Sequence, residues 1–182
     1  MSFQDLPQTW TDHPLSDPTR AADVVDLLVS LGDRHRGTFT VILCDENTRY
    51  RAAIAVDLPS EFGQPPAPPS PLAARATSTP PLARTTSTSP LAARTMPTSS
   101  LAAGAMCTSA LTPIIPAVRT APGTSLLLAL GRPGPDTWPD LDTEWAHAAT
   151  HLCRTTAVPL LGFYIATPHH IYQPQLPIPT AA

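Results

Sequence analysis

Residues 124–166, "TSLLLALGRPGPDTWPDLDTEWAHAATHLCRTTAVPLLGFYIA", decide the fold of this chain. They begin with an apolar run of strand length, which leads into a Gly/Pro loop and then into a helix predicted over residues 140–155. A second apolar run predicts a strand over 158–166, a turn at 168–170 and a short last strand at 171–173. The first strand, the loop and the helix form a junction of the kind at which functional side chains often lie.

The N-terminal half of the chain predicts a helix and a hairpin. The apolar side chains of residues 18–32, Leu31 among them, recur at the spacing of one helix face, and Gly32 suits the helix exit. Two apolar and β-branched runs follow at 38–44 and 50–56, on either side of the polar turn "DENT". Such a pair of runs is typical of a β-hairpin.

A low-complexity tract separates the two halves. Between residues 64 and 116 a short unit recurs as "SPLAARATSTP", "PLARTTSTS", "PLAARTMPTS" and "SLAAGAMCTS". One leucine and a few alanines per unit are too little apolar surface to offset the entropy cost of ordering the chain. We therefore expect a disordered insertion in a surface loop, where extra length costs little closure entropy. An alternative is that the tract is a tether or a docking segment for a protein partner.

These features together predict one domain of the α/β class, a layered fold with a mixed sheet flanked by helices. The domain is discontinuous: it comprises residues 17–63 and 117–175, and it carries the insertion of residues 64–116. Residues 1–16 and 176–182 are expected to be flexible ends.

Composition excludes several classes of partner. The net charge is -3, and all eleven basic residues are arginine, a bias typical of a GC-rich and most simply a bacterial genome. Because no basic run is present, a nucleic-acid partner is not expected. The N-terminus lacks the regions of a signal peptide, and no stretch approaches the roughly 20 apolar residues that span a bilayer. The expected location is the cytoplasm, without membrane association.

The three cysteines, Cys44, Cys107 and Cys153, are widely spaced and form no Cys-x-x-Cys motif. This spacing gives little support to a disulfide framework or a structural zinc site. Cys44 and Cys153 lie in apolar periodic segments and are expected in the core. Cys107 lies in the low-complexity tract and is expected to be a free thiol.

A pair of histidines on the second predicted helix has the spacing of metal ligands. His147 and His151 are four residues apart, but the sequence "HAATH" lacks the glutamate of a His-Glu-x-x-His site. The apolar face of this helix is formed by Leu141, Trp145, Ala148 and Leu152. We therefore expect both histidines to lie on the solvated side.

Acidic residues at the loop and the helix start are a second candidate for cation binding. They are Asp136, Asp140, Asp142 and Glu144. Hard cations prefer several convergent oxygen ligands, but helix capping and the helix dipole explain acids at these positions equally well, and we favour capping. The chain has no Gly-x-Ser-x-Gly motif and no phosphate-binding loop, which weakens hydrolase and nucleotide-binding interpretations.

The element order, together with "FTVILCDENTRYRAAIAV", "TSLLLALGRPGPDTWPDLD" and "VPLLGFYIATPHHIY", resembles the JAB/MPN metallopeptidase-like fold of bacterial RadC-type domains. In that family a strand ends in His-x-His-Pro, a Gly/Pro loop follows, and Ser-x-x-Asp opens a helix. The resemblance lies in two blocks on either side of the insertion. It implies a JAB-like mixed sheet flanked by helices, with the family's zinc site at the junction.

The residues at the family's zinc-binding positions differ from its ligands. If Pro133 is the motif proline, the two histidine positions fall on Leu130 and Arg132, and the aspartate position falls on Thr143. A catalytic zinc site needs about three protein ligands, and the fixed charge of Arg132 would repel a cation beside it. The resemblance therefore implies a domain that lacks the family's metal site, and we expect no cofactor.

We expect a non-catalytic interaction or regulatory module rather than an enzyme. Arg132 could pair with a carboxylate or a phosphate, and Trp138 could anchor a partner or close the loop over the core. With Asp140 and Asp142, these residues are the predicted contacts of a protein partner at the loop 131–140. Two alternatives are a metal-dependent hydrolase that uses the helix histidines and an acid of the loop, and a DNA-associated RadC-like protein.

Overall fold

The structure, a computed structural model, describes residues 6–7, 9–59, 100–137 and 139–174. The strands of this part are β1 (Thr38–Cys44), β2 (Tyr50–Asp57), β3 (Ser125–Gly131), β4 (Leu160–Ala166) and β5 (Ile171–Tyr172). Its α-helices are α1 (Pro18–Leu28), α2 (Leu31–Arg36), α3 (Ser100–Leu111), α4 (Ile115–Thr120) and α5 (Pro139–Thr155). A short 3-10 helix, Trp10–Asp12, precedes them. None of the described helices is long and apolar enough to cross a bilayer.

The five strands form one mixed sheet in the order β2-β1-β3-β4-β5. β1 is antiparallel to both of its neighbours, β3 and β4 are parallel and are connected through α5, and β5 is antiparallel to β4. The predicted hairpin and the predicted strand-loop-helix-strand order are therefore confirmed. The predicted fold class, an α/β layered fold with a mixed sheet and helices, is confirmed as well.

β3 is the central strand, and it is buried along its whole length. Alternate side chains point to opposite faces of a strand, so Leu126, Leu128 and Leu130 join an apolar cluster with α3, α4 and α5. Leu127 and Ala129 join the cluster that contains the apolar face of α1. Because helices cover both faces, the strand reads in the sequence as a continuous apolar run.

The N-terminal helix is shorter than its sequence predicts. α1 ends at Leu28, and Ser30 begins α2 with a capping box. The Ser30 hydroxyl accepts a hydrogen bond from the Asp33 N–H at 3.2 Å, and the Asp33 carboxylate accepts one from the Ser30 N–H at 3.1 Å. Because α2 has its own axis, Gly32 lies inside it and Leu31 is 59% exposed. The predictions of a buried Leu31 and of a helix exit at Gly32 are wrong.

Residues 9–16, which belong to the predicted flexible N-terminus, pack on the domain. Leu15 is buried beneath α1, and its N–H donates to the Thr48 carbonyl at 2.8 Å. The ring centroid of Trp10 lies 4.9 Å from that of Tyr50. Burying these large apolar side chains offsets the entropy cost of ordering the segment. The predicted flexibility is wrong for this part of residues 1–16.

The last repeat unit of the low-complexity tract is helical. α3 packs on α5 and buries Cys107 and Leu111 in the core. The unit "SLAAGAMCTS" has no proline, whereas each earlier unit contains at least one, and proline is the residue least compatible with a helix interior. The prediction of disorder is therefore wrong for residues 100–116. The rest of the predicted insertion, residues 64–99, and the predicted tail, residues 176–182, lie outside the described residues.

Candidate functional site

Polar side chains meet at the carboxyl ends of β3 and β4. Since these strands are parallel neighbours, the loop that leaves β3 at residue 132 and the turn 167–170 that leaves β4 lie side by side. In open α/β sheets the carboxyl ends of the strands are the usual place for a ligand. We take this edge as the candidate site.

A buried ion pair closes the loop onto α5. Arg132 Nε donates to Asp142 Oδ1 at 2.7 Å, and Arg132 Nη2 donates to Asp142 Oδ2 at 2.7 Å. The side chains are 0% and 1% exposed. This two-bond geometry is the strong form of an arginine-carboxylate pair.

Arg132 also binds the backbone of its own loop. Its main-chain N–H donates to the Ala166 carbonyl at 3.0 Å. Its Nη1 donates to the Pro135 carbonyl at 2.7 Å and to the Pro133 carbonyl at 3.3 Å. Gly134 lies between them with a φ of 97°, a conformation that glycine adopts without strain. The side chain of Arg132 therefore stabilises the turn of the loop at residues 133–135, and its main-chain N–H attaches the loop to β4.

Tyr172 of β5 completes the network. Its hydroxyl donates to Asp142 Oδ2 and accepts a hydrogen bond from Arg132 Nη2 at 3.3 Å. Burial, and then the Asp142 carboxylate, raise the pKa of Tyr172 to about 12, although Arg132 opposes the shift. Burial by itself would lower the pKa of Arg132, but Asp142 and Tyr172 raise it above its ordinary value. Neither group is suited to act as a general base near neutral pH.

Thr167 connects the loop to the turn after β4. Its hydroxyl lies 3.1 Å from Asp136 Oδ1 and 3.1 Å from the His170 carbonyl, and it accepts a hydrogen bond from the His170 N–H at 3.0 Å. The ring of His170 stacks on that of Tyr172, with centroids 5.6 Å apart. These contacts make the exposed residues of the loop and the turn one continuous surface.

A second buried arginine, Arg34 of α2, supports the same edge from the side of α1. Its Nε donates to the Val29 carbonyl at 2.9 Å, and its Nη1 donates to the Thr167 carbonyl at 3.2 Å. Its Nη2 donates to Asp26 Oδ1 at 2.6 Å. Arg34 therefore satisfies carbonyls at the end of α1, and it attaches this helix to the turn after β4.

A cleft of about 470 Å³ opens beside Arg34, between α1 and the turn. Its ionisable lining consists of two carboxylates, Asp23 and Asp26, the guanidinium of Arg34 and the imidazoles of His169 and His170. Arg34, which lines the cleft, binds the Thr167 carbonyl, so the cleft extends the candidate site toward α1.

Most of the predicted site residues are partly or fully buried in the described part of the structure, and one is exposed. Leu130 is a fully buried core residue, and Thr143 is half-buried on α5. Arg132 and Asp142 come together but are buried, so the prediction that they contact a partner at the surface is wrong. Asp142 lies in the first turn of α5, where the helix-start interpretation places it, and its carboxylate also binds Arg132. Asp140 is exposed as predicted.

Trp138, the predicted partner anchor, lies outside the described residues. The buried face of α5 is rotated about the helix axis relative to the predicted face, and only Trp145 of the predicted residues is fully buried. The residues buried on it are Asp142, Trp145, Ala146, Ala149 and Cys153. On this face Asp142 points to the interior, where it meets Arg132.

The two histidines of α5 do not form part of the site. His147 and His151 are exposed, which confirms that they lie on the solvated side of the helix. Within the described ranges no group of three His, Cys, Asp or Glu side chains has the arrangement of metal ligands.

Three residues of the site were not predicted from the sequence: Arg34, Thr167 and Tyr172. Each acts through a partner that is distant in the chain, as in the bond from Arg34 to Thr167 across 133 positions and that from Arg132 to Tyr172 across 40 positions. Of these three residues only Tyr172 could have been suspected from the sequence, because it lies in the predicted last strand, next to the turn at 168–170.

Comparison of this chain with protein-family models, with curated proteins and with solved structures found no match.

Proposed function

We propose that this chain is a non-catalytic JAB/RadC-like interaction module of the bacterial cytoplasm. It binds a protein partner through the surface formed by residues 133–137 and the turn 167–170, and the cleft beside Arg34 extends this surface. The observation that carries the proposal is the Arg132–Asp142 pair. Both side chains are buried and bind each other in two-bond geometry, so they support the loop instead of serving a reaction.

The residues at the family's ligand positions support a non-catalytic role. Leu130 lies in the apolar core, and Arg132 places a fixed positive charge where a metal ligand would be needed. A hydrolytic zinc site requires about three protein ligands around an open position. Rebuilding such a site would require breaking a buried ion pair, which is strongly unfavourable.

Charge at the rim favours a basic partner surface. Asp136 and Asp140 are exposed on the loop and at the start of α5, and Asp23 lines the cleft, in which Asp26 is already paired with Arg34. Complementary charges at the rim of an interface guide association and make it sensitive to salt. The same carboxylates would repel a phosphate backbone, which disfavours the DNA-associated alternative. The expected partner therefore presents Lys or Arg side chains to this edge.

Photo-cross-linking in a bacterial host that encodes the protein tests the proposal. A photoreactive amino acid at Thr137, an exposed loop position, is expected to give one discrete adduct with a second protein. The matched control carries the same amino acid at His151, which is exposed near the C-terminal end of α5, and is expected to give none. Salt should reduce the adduct at Thr137, and so should Asp136→Lys combined with Asp140→Lys.

Two outcomes contradict the proposal. One is that Thr137 gives no adduct in cells that contain the natural partners. The other is that the adduct is equally abundant from His151 or is unaffected by both charge reversals, because such binding would not involve the acidic edge.

A further inference from the structure

β2 is an edge strand of the sheet that the described residues form. β1 pairs with one side, and no strand of the described residues pairs with the other. The N-terminal segment reaches the outer side only near its start, where Pro14 bridges Arg49 and the Leu15 N–H donates to the Thr48 carbonyl at 2.8 Å. The part from 51 to 57 lies beyond these contacts.

The open part of β2 has the composition of a pairing surface. Ala53, Ile54 and Ala55 are exposed, and Ile54, at 39%, is among the few exposed large apolar side chains of the described chain. No charge, proline or glycine interrupts residues 52–56. Natural proteins usually protect edge strands with such residues, and unprotected edges pair with other strands.

Hydrogen-bond alternation identifies which backbone groups face the open side. The Leu58 N–H donates to the Gly37 carbonyl at 3.0 Å, so Leu58 faces β1. In an antiparallel ladder the bonding direction alternates along the strand. The backbone groups of Ala53, Ala55 and Asp57 therefore point outward, where they can bond to a further strand.

The charges at the two ends of β2 are complementary to those of a second copy of β2 in one antiparallel register. Arg51 and Asp57 are symmetric about Ile54. If two copies of β2 pair antiparallel with Ile54 opposite Ile54, Arg51 of each copy, which lies at a β-bulge and has no partner on β1, comes close to Asp57 of the other. In the same register Ala53 lies opposite Ala55, so the outward backbone groups of both strands meet. Opposite charges directly across a strand pair are stabilising.

We propose that β2 is the surface through which two copies of this chain associate, by antiparallel pairing about a two-fold axis at Ile54. The two sheets then form one continuous sheet, and Ile54 is buried against its counterpart. The surface uses none of the residues of the candidate site, so it is independent of the proposed function.

The ends of the strand can accommodate the two new ion pairs. Arg51 donates through Nη2 to Asp45 at 2.9 Å, and its fork of N–H groups can bind a second carboxylate. In the described part of the chain Asp57 has no ion-pair partner. One strand pair is smaller than the standard interface of about 1,600 Å². We therefore expect a dimer whose population depends on protein concentration and on salt.

Sedimentation of the full-length chain over a wide range of concentrations tests the proposal. The mass is expected to rise from 19.3 kDa toward twice that value. Asp57→Arg and Arg51→Glu should each keep the protein monomeric, because each places like charges opposite one another. An equimolar mixture of the two variants should dimerise again, since both cross-strand pairs are then of opposite charge. Arg154→Glu, an exposed charge reversal on α5, should dimerise like the unsubstituted protein.

A proline variant separates pairing from folding. Ala55→Pro removes an outward N–H and leaves the bonds to β1 intact, so it is expected to be monomeric with an unchanged circular dichroism spectrum. The proposal is overturned if the unsubstituted chain stays monomeric at every concentration, if the single charge variants dimerise as it does, or if their mixture stays monomeric.

Discussion

Arg132 is stable in the interior because acceptors surround its guanidinium. Asp142 accepts from Nε and Nη2, and the carbonyls of Pro133 and Pro135 accept from Nη1. An unpaired buried charge would cost several kcal/mol. The same bonds hold the loop in one conformation, so a side chain that looks in the sequence like a partner contact is part of the loop's support.

Replacing both partners of the Arg132–Asp142 pair should cost less stability than the two single replacements added together. Arg132→Met should lower the free energy of unfolding by about 3–5 kcal/mol, because it leaves the Asp142 carboxylate buried without its cation. Arg132→Met combined with Asp142→Leu should cost less than the sum of the single changes. Urea unfolding of the three variants measures this coupling. Additive costs would show that the pair contributes no coupling.

The hydroxyl of Tyr172 should make stability depend on pH in the alkaline range. Its pKa is raised from 10.0 to about 12 in the folded chain, so its contribution is complete below pH 10.0 and is lost as the pH rises toward 12. The free energy of unfolding of Tyr172→Phe should therefore fall less steeply between about pH 9 and pH 11 than that of the unsubstituted protein. Urea unfolding at both pH values measures this difference. Equal slopes would contradict the raised pKa.

At the scale of elements, local patterns predicted the strands and the main helices. The apolar runs of β1, β2, β3 and β4 and the periodicity of α5 depend on neighbouring residues, so they can be read from the sequence. The break between α1 and α2 depends on one capping serine, Ser30, inside a helical pattern. The site depends on bonds between Arg132, Asp142 and Tyr172, which come from three different elements. No periodic pattern identifies such pairs.

α3 shows how tertiary packing can order a segment that composition assigns to a loop. Its own apolar surface would not stabilise it in isolation, because short helices are marginal in water. It is stable here because Cys107 and Leu111 are buried against α5 and the sheet.

If α3 belongs to the core, shortening one of its buried side chains should destabilise the whole domain. Leu111→Ala should lower the free energy of unfolding by about 2–5 kcal/mol, the usual cost of a buried leucine. Ser109→Ala, an exposed change on the same helix, is the matched control and should have little effect. Equal stability of both variants in thermal or urea unfolding would show that α3 is detached from the core.

At the scale of the whole molecule, the two apolar layers on the sheet enclose all three cysteines. Burial raises the pKa of Cys44 and of Cys153 to about 11. Burial and the neighbouring Cys153 raise that of Cys107 to about 12. The reactive thiolate is therefore scarce at neutral pH, and reagents have little access to it.

Thiol labelling should report the integrity of this packing. Ellman's reagent at about pH 8 should react slowly with the folded protein and rapidly with all three thiols in denaturant. Rapid reaction of one thiol in the folded state would show that its layer opens. Leu111→Ala should accelerate labelling of Cys107 if α3 and the core open together.

The metal content of the full-length protein tests the central claim that the junction is a closed structural unit rather than a hydrolytic zinc site. The measurement is the zinc-to-protein ratio by plasma mass spectrometry, after expression with added zinc and exhaustive dialysis. We predict far less than one zinc ion per chain, with no difference between the unsubstituted protein and Asp136→Asn. Retention of one zinc ion per chain, and its loss in Asp136→Asn or in His147→Ala, would contradict the account.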